Sequence, residues 1–295
     1  MAGQPAHRIR LDIAYDGSSF KGWARQPGDL RTVQGTLEDA LARVIRSGVR
    51  LVVAGRTDAG VHASGQVAHL DLDEEQWERA TQARRGGPAP ADPATELARR
   101  VQGVLRPYSD VAVLRTATAP AGFDARFSAT WRRYAYRLAD EVAGYDPLRR
   151  RDTTSVRATL DAEAMDEAAR SLIGLHDFAA YCKPRPEATT IRTLLEFGWR
   201  RDDRGVLVAN VKADAFCHSM VRALVGACVA VGGGRLEIAD VARLRDELDR
   251  TSAFAVLDAR GLTLTEVGYP ADEQLAARAE QTRSRRDPNE VTGSA

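Results

Sequence analysis

VRLVVAGRTDAGVHASGQVAHLDL, Val49–Leu72, holds two apolar runs separated by a polar stretch punctuated with glycine. Val49–Ala54 and Gly65–Leu72 read as strands joined by the loop Gly55–Ser64. Upstream, Arg8–Tyr15 places Ile9, Leu11, Ile13 and Tyr15 on one face, the period of a half-buried strand. Val33–Ser47 carries Val33, Leu37, Leu41, Val44 and Ile45 at helical spacing, with Thr32 as N-cap and Gly48 as terminator. The early order is therefore strand, helix, strand, strand. That order favours an α+β fold with antiparallel or mixed sheets over a doubly wound parallel one.

The rest of the chain repeats the mixture. Strands are expected at Asp110–Thr116, Thr130–Ala139, Thr193–Arg201, Gly205–Ala213 and Leu262–Tyr269. Helices are expected at Leu160–Leu172, Ala215–Val231 and Ile238–Leu248, with Asp214 capping the second of these. The reading is of two α+β halves, residues 8–150 with the Gly55–Ser64 loop and residues 151–270. They are flanked by a disordered start, 1–7, and a disordered polar tail, 271–295. Gln82–Thr95, rich in Ala, Pro and Gly, reads as a mobile loop or insertion.

At 295 residues, 44% hydrophobic and 28% charged, the composition is that of a globular chain and excludes wholesale disorder or a fibrous rod. No run reaches the roughly 18 apolar residues of a membrane span, since Arg222 interrupts the best one, Met220–Gly234. No signal peptide is evident in MAGQPAHRIRLDIAY, so a cytoplasmic location is expected. Cys182, Cys217 and Cys228 form no CxxC pair, which argues against a disulfide scaffold or a thiolate metal site. His62 and His69 have no zinc-like spacing, so no metal is expected. Net charge is +1, but only Lys21, Lys183 and Lys212 among the 42 basic residues are lysines. Arginine suits phosphate and base contact, although a GC-rich genome produces the same bias.

Chemistry concentrates in three places. Gly55–His62 packs Arg56, Thr57, Asp58 and His62 between glycines. Asp58 there is a candidate nucleophile, base or metal ligand, and equally an Asx-turn residue bonding its own backbone. The apolar helix Ala215–Val231 has one charged residue, Arg222, in line with His218 and Gly226. A buried guanidinium needs a carboxylate or a polar cleft, and Asp58 is a candidate partner; a purely structural ion pair is the other reading. Third, Arg132, Tyr134 and Tyr136 alternate along one strand face. That is a platform for phosphate and splayed bases, or simply a half-buried core with wet hydroxyls. GxxxxGK[ST], G-x-S-x-G and HExxH are all absent, and Gly232–Gly234 lacks a dinucleotide-binding context.

YDGSSFKGWARQ (Tyr15–Gln26), AGRTDAGVHASGQVAHLDL (Ala54–Leu72), FDARFSATWRRYAYRL (Phe123–Leu138), GLHDFAAY (Gly174–Tyr181), AFCHSMVRALVGACVAVGGG (Ala215–Gly234) and ARGLTLTEVGYP (Ala259–Pro270) follow one another in this order. Together they closely resemble the TruA-type tRNA pseudouridine synthases, collinearly from about residue 8 to 270. The resemblance implies two similar α+β halves around a central, mainly antiparallel sheet with a cleft between them. It implies isomerisation of uridines 38, 39 and 40 in the tRNA anticodon arm by a homodimer without cofactor, metal or nucleotide. On the matching positions, Asp58 is the catalytic aspartate and Arg56 intrudes where the base leaves the stack. Tyr134 packs against the flipped uracil, and Arg222 pairs with the aspartate. Arg132, from its place on the same strand face as Tyr134 and not from the resemblance, is expected to join Arg56 and Tyr134 in binding substrate.

The chain departs from the family at Gly103 and Leu105-Arg106-Pro107, at Tyr181 and at Ser219. None of these touches Asp58, Arg56, Tyr134 or Arg222. Two rivals remain at this level. One is a tRNA-binding or folding protein whose isomerase activity is lost or dispensable. The other is a metal-dependent hydrolase or phosphoryl enzyme using Asp16 or Asp58.

Overall fold

The computed structural model describes residues 7–82, 90–184 and 189–283. By packing they fall into two compact units, one running to Thr130 and taking back Glu266–Arg283, the other spanning Trp131–Thr265.

In the first unit, β1 (His7–Tyr15) buries Ile9, Leu11, Ile13 and Tyr15, as its alternation predicts. Thr32 caps α1 (Val33–Ile45), its Oγ1 accepting from the Gly35 N–H at 3.2 Å. The helix stops at Arg46, which is left-handed (φ 60°), two residues before the expected Gly48. β2 (Val52–Val53) pairs antiparallel with β3 (His62–Leu72), and β3 pairs antiparallel with β1. Between β3 and the next strand stand two helices that were not expected. α2 (Glu74–Ala80) opens on an Asp73/Gln76 capping box. α3 (Thr95–Leu105) buries Leu97, Val101 and Leu105, a spacing of four that Gly103 and the Pro-rich lead-in obscure. β4 (Val111–Thr118) then pairs antiparallel with β1, giving the order β4–β1–β3. Of the expected Gln82–Thr95 loop, residues 83–89 lie outside the described residues, and Asp92 accepts from the Ala94 and Thr118 N–H groups.

In the second unit, β5 (Trp131–Ala139) pairs antiparallel with β9 (Leu207–Ala213), and β6 (Thr154–Ser155) runs parallel beside it. β9 pairs with β8 (Ile191–Arg201) and β8 with β7 (Gly174–Asp177), again antiparallel. α4 (Ala162–Arg170) packs on β8 and on α5 (Met220–Gly232), whose residues are almost all buried; α6 (Ile238–Asp246) follows. β10 (Leu262–Gly268) starts in this unit and ends in the first. The fold is α+β with mostly antiparallel strands.

Three expectations need correction. α5 begins at Met220, not Ala215, because Ser219 sits in the left-handed region (φ 65°) and no helix continues through it. Asp214 is consequently not its cap; the carboxylate accepts from the N–H groups of Thr193 (3.1 Å) and Ala215 (2.6 Å). His218 therefore precedes the helix rather than sharing a face of it. Next, the tail is ordered past Pro270: a turn at Asp272–Gln274 leads into α7 (Leu275–Arg283), which buries Leu275 and Ala279 in the first unit. Gly122 accepts this helix because a Cβ there would meet Ala276 at 2.6 Å. Finally, Cys182 and Cys217 form a disulfide, their Cα atoms 5.8 Å apart, which an odd cysteine count and a separation of 35 residues concealed. Residues 1–6 and 284–295, part of the expected disordered ends, lie outside the described residues.

Candidate active site

The Gly55–Val61 segment in the first unit is held by the strands on either side of it. Thr57 is buried, Arg56 is exposed and Asp58 is half-buried. Thr57 is seated inward, and its charged neighbours Arg56 and Asp58 are the more exposed residues on either side of it. Three sets of bonds do the seating. The Tyr15 hydroxyl lies 2.8 Å from Thr57 Oγ1, and the Trp23 N–H donates to the Thr57 carbonyl at 3.0 Å. Gln66 Nε2 donates to the Gly55 carbonyl (2.9 Å) and to the Tyr15 hydroxyl (3.2 Å). The Val61 N–H closes a turn onto the Asp58 carbonyl at 3.2 Å.

The Tyr15–Trp23 motif forms the bed beneath this loop. Gly22 has φ 92°, and a Cβ on it would stand 3.1 Å from the Thr57 carbonyl oxygen. The Gly17 N–H lies 3.1 Å from His62 Nδ1, and Asp16 Oδ1 lies 3.2 Å from the same nitrogen. Burial pushes the Tyr15 hydroxyl up to about 12, against the pull of Thr57 and Gln66, so it stays protonated. Sequence reasoning named Thr57 with the polar loop and Tyr15 with the strand face, but gave neither of them, nor Gln66, a role in holding the loop. The available signal was Gln66 itself, a long amide between Gly65 and Val67 where the run otherwise turns apolar.

The other candidate residues stand in the second unit. On β5, Arg132, Tyr134 and Tyr136 face one way and are buried, while Trp131, Arg133, Ala135 and Arg137 alternate with them and are half-buried. Tyr136 is core: its hydroxyl donates to the Asp258 carbonyl and lies within hydrogen-bond distance of Thr154 Oγ1, both at 2.9 Å. Burial pushes it up to about 12, opposed in part by Arg222. Arg132 donates to the Asp214 carbonyl at 2.8 Å. Tyr134 meets Phe216 edge to face, with centroids 5.1 Å apart, in the segment that leads into α5.

Arg222 lies on the first turn and a half of α5, where Nε donates to the Leu257 carbonyl at 2.5 Å. The Leu257 N–H bonds back to the Arg222 carbonyl at 3.2 Å, so side chain and backbone grip the same residue. Among the described residues no group of histidine, cysteine and acidic side chains could hold a metal ion. No helix among them is long and apolar enough to cross a membrane.

Residues 168–270 match the family model described as tRNA pseudouridine synthase. The chain is 62% identical over 284 residues to tRNA pseudouridine synthase A of Leifsonia xyli, covering 95% of this chain and 98% of the relative. The chain belongs to the tRNA pseudouridine synthase A family. A second relative of that name, from Streptomyces avermitilis, is 52% identical and covers 95% of this chain and 94% of its own length. A third, from Bifidobacterium longum, is 44% identical over 94% of this chain and 98% of its own. In this chain, GRTDAGVH (Gly55–His62) is the clamped loop, and the Tyr15–Trp23 stretch is the bed beneath it.

Proposed function

We propose that this chain converts uridine to pseudouridine at positions 38, 39 and 40 of the tRNA anticodon arm, with Asp58 as nucleophile. The observation that carries the reading is the 62% identity, over 95% of the chain, to a protein named tRNA pseudouridine synthase A. The presentation of Asp58 on a loop tied down on both sides supports it.

The reaction breaks the N1–C1′ bond and makes a C5–C1′ bond. The C5 proton leaves and N1 gains one, so nothing is oxidised or hydrolysed and the chemistry needs no redox or hydrolytic cofactor. A carboxylate serves it by adding to C6, by attacking C1′ or by taking a ribose proton. Arg222 is proposed as the basic partner that orients the carboxylate. Arg56, exposed beside Asp58, is proposed to occupy the space the base vacates, and Tyr134 to stack on the uracil; Arg132 supports the same substrate face. Filling the gap and stacking offset the few kcal/mol that flipping costs. Arginine-rich surface would hold the RNA backbone with a salt-dependent affinity. A homodimer working in the cytoplasm completes the proposal.

The test is an unmodified tRNA transcript with uridines at 38, 39 and 40, incubated with the protein without metal or nucleotide. Pseudouridine is then mapped at single-nucleotide resolution. Product confined to those positions, lost in Asp58→Ala while tRNA affinity stays within a few-fold, is the expected result. Binding without product in the wild type would shift the assignment to a tRNA-binding or folding protein.

A further inference from the structure

Gln66 is fully buried on β3, a position where the neighbouring Val67 and Ala68 show that apolar side chains fit. Burying an amide there is costly unless its groups are bonded, and every bond it makes is specific. Nε2 donates to the Gly55 carbonyl at 2.9 Å and to the Tyr15 hydroxyl at 3.2 Å, while Oε1 accepts from the Val67 N–H at 3.2 Å. The Tyr15 hydroxyl in turn reaches Thr57 Oγ1 at 2.8 Å. One amide thus grips the loop directly at Gly55 and, through a phenol, at Thr57. Arg56 lies between the two grips and Asp58 follows immediately after the second.

We propose that Gln66 and Tyr15 are positioning residues for Asp58, setting through Gly55 and Thr57 the direction in which its carboxylate leaves the loop. The inference rests on the reading of Asp58 as the reacting group. The physical case is that Thr57 is the one residue between Arg56 and Asp58, and its side chain and carbonyl are both bonded. Rotation about the Thr57 backbone is what would redirect Asp58, and the bonds oppose that rotation. A merely packed valine at 57 would fill the space but leave rotation less restrained. Because the Tyr15 hydroxyl is held protonated up to about 12, the relay keeps its bonds across the working pH range.

Misplacing a reacting group by about 1 Å costs on the order of 100-fold in rate. Tyr15→Phe and Thr57→Val are therefore expected to lower the single-turnover rate at saturating enzyme by about 10- to 100-fold. Affinity for tRNA should stay within about two-fold, since neither side chain is placed to meet RNA. Thr57→Ser, which keeps the hydroxyl, should restore the rate to within about three-fold of wild type. The double variant Tyr15→Phe/Thr57→Val should be no slower than the slower single one, because both break the same relay.

A structural role alone would lower the melting temperature and leave the single-turnover rate of folded protein unchanged. That result would overturn the proposal, as would multiplying losses in the double variant. Should Thr57→Val fail to fold, Tyr15→Phe, which deletes one oxygen atom, decides by the same criterion. A wild type without product, or an Asp58→Ala variant as active as wild type, would instead overturn the reading of Asp58 itself.

Discussion

Gly17 lies directly against the carbonyl of Val61: a Cβ on Gly17 would sit 2.1 Å from that oxygen and 3.0 Å from the Gly60 carbonyl carbon. The atoms in the way are backbone, and they belong to the end of the loop that carries Asp58. Gly17→Ala must push that loop off its bed. Overpacking of this kind costs about 1–3 kcal/mol. The variant should melt earlier, and its pseudouridine formation should fall further than its tRNA affinity. Thermal unfolding alongside single-turnover kinetics would check this.

Gly226 presents the opposite trade. Replacing an interior helical glycine by alanine normally stabilises by about 1 kcal/mol. Here the added Cβ would meet the Ala255 carbonyl oxygen at 1.9 Å, so the clash outweighs the propensity gain. Gly226→Ala is expected to destabilise by about 1–3 kcal/mol. It should also slow turnover, because the displaced loop segment continues into Leu257, the residue that Arg222 grips. A denaturant midpoint higher than wild type would contradict the expectation.

Arg222→Ala removes the Nε bond to Leu257 and the proposed partner of Asp58. Turnover should drop by at least about 100-fold if the guanidinium stabilises the reacting carboxylate. Circular dichroism should show the fold retained. Near-normal turnover would leave Arg222 with the Leu257 bond as its whole role.

Tyr134 packs edge to face with Phe216. Tyr134→Phe keeps the ring and that contact, so it should cost far less rate than Tyr134→Ala if stacking on the base dominates. Equal losses in the two variants would assign the effect to the hydroxyl.

Asp140 gives the pH dependence. Its side chain is fully buried, and burial alone would raise its pKa. Hydrogen bonds from Arg201 and from the Leu160 and Ala143 N–H groups outweigh that and hold it near about 2. A carboxyl whose folded pKa is depressed contributes stability that is present above its unfolded value, about 3.9. That contribution is lost as pH falls through the window from about 4 to about 2. Two units correspond to roughly 2–3 kcal/mol. Arg201→Met strands the buried carboxylate and should destabilise by about 3–5 kcal/mol at neutral pH. It should also flatten the loss of stability on acidification, which urea titrations at pH 7, 5 and 3 would measure.

Local periodicity carried β1, α1, β5 and the core of α4 to within about two residues of their observed ends, because alternation and helical stripes are properties of neighbours in the chain. It failed where distant segments decide. α3 was masked by Gly103, a poor helix former that no neighbour requires, since a Cβ there would meet nothing within 4 Å; the buried Leu97, Val101 and Leu105 hold the helix. α7 is polar along most of its length and is ordered through Leu275 and Ala279 and through the close approach of Gly122. The start of α5 moved to Met220 because Ser219 takes the left-handed conformation, which leaves the Asp214 carboxylate accepting from Thr193 on β8 and from Ala215.

The candidate site divides in the same way. Composition, motif order and the absence of cofactor signatures were legible in the residues alone, and so was the presence of Arg56 and Asp58 on one glycine-flanked loop between two strands. The direction in which that loop presents them was not. It depends on Tyr15 and Gln66, respectively 42 residues before Thr57 and 11 after Gly55, meeting it in space. A chain's order of residues determines which elements form, since those energies are local. Only the folded arrangement decides where a buried amide finds its partners, because a hydrogen bond is set by distance and angle in space and not by position along the chain.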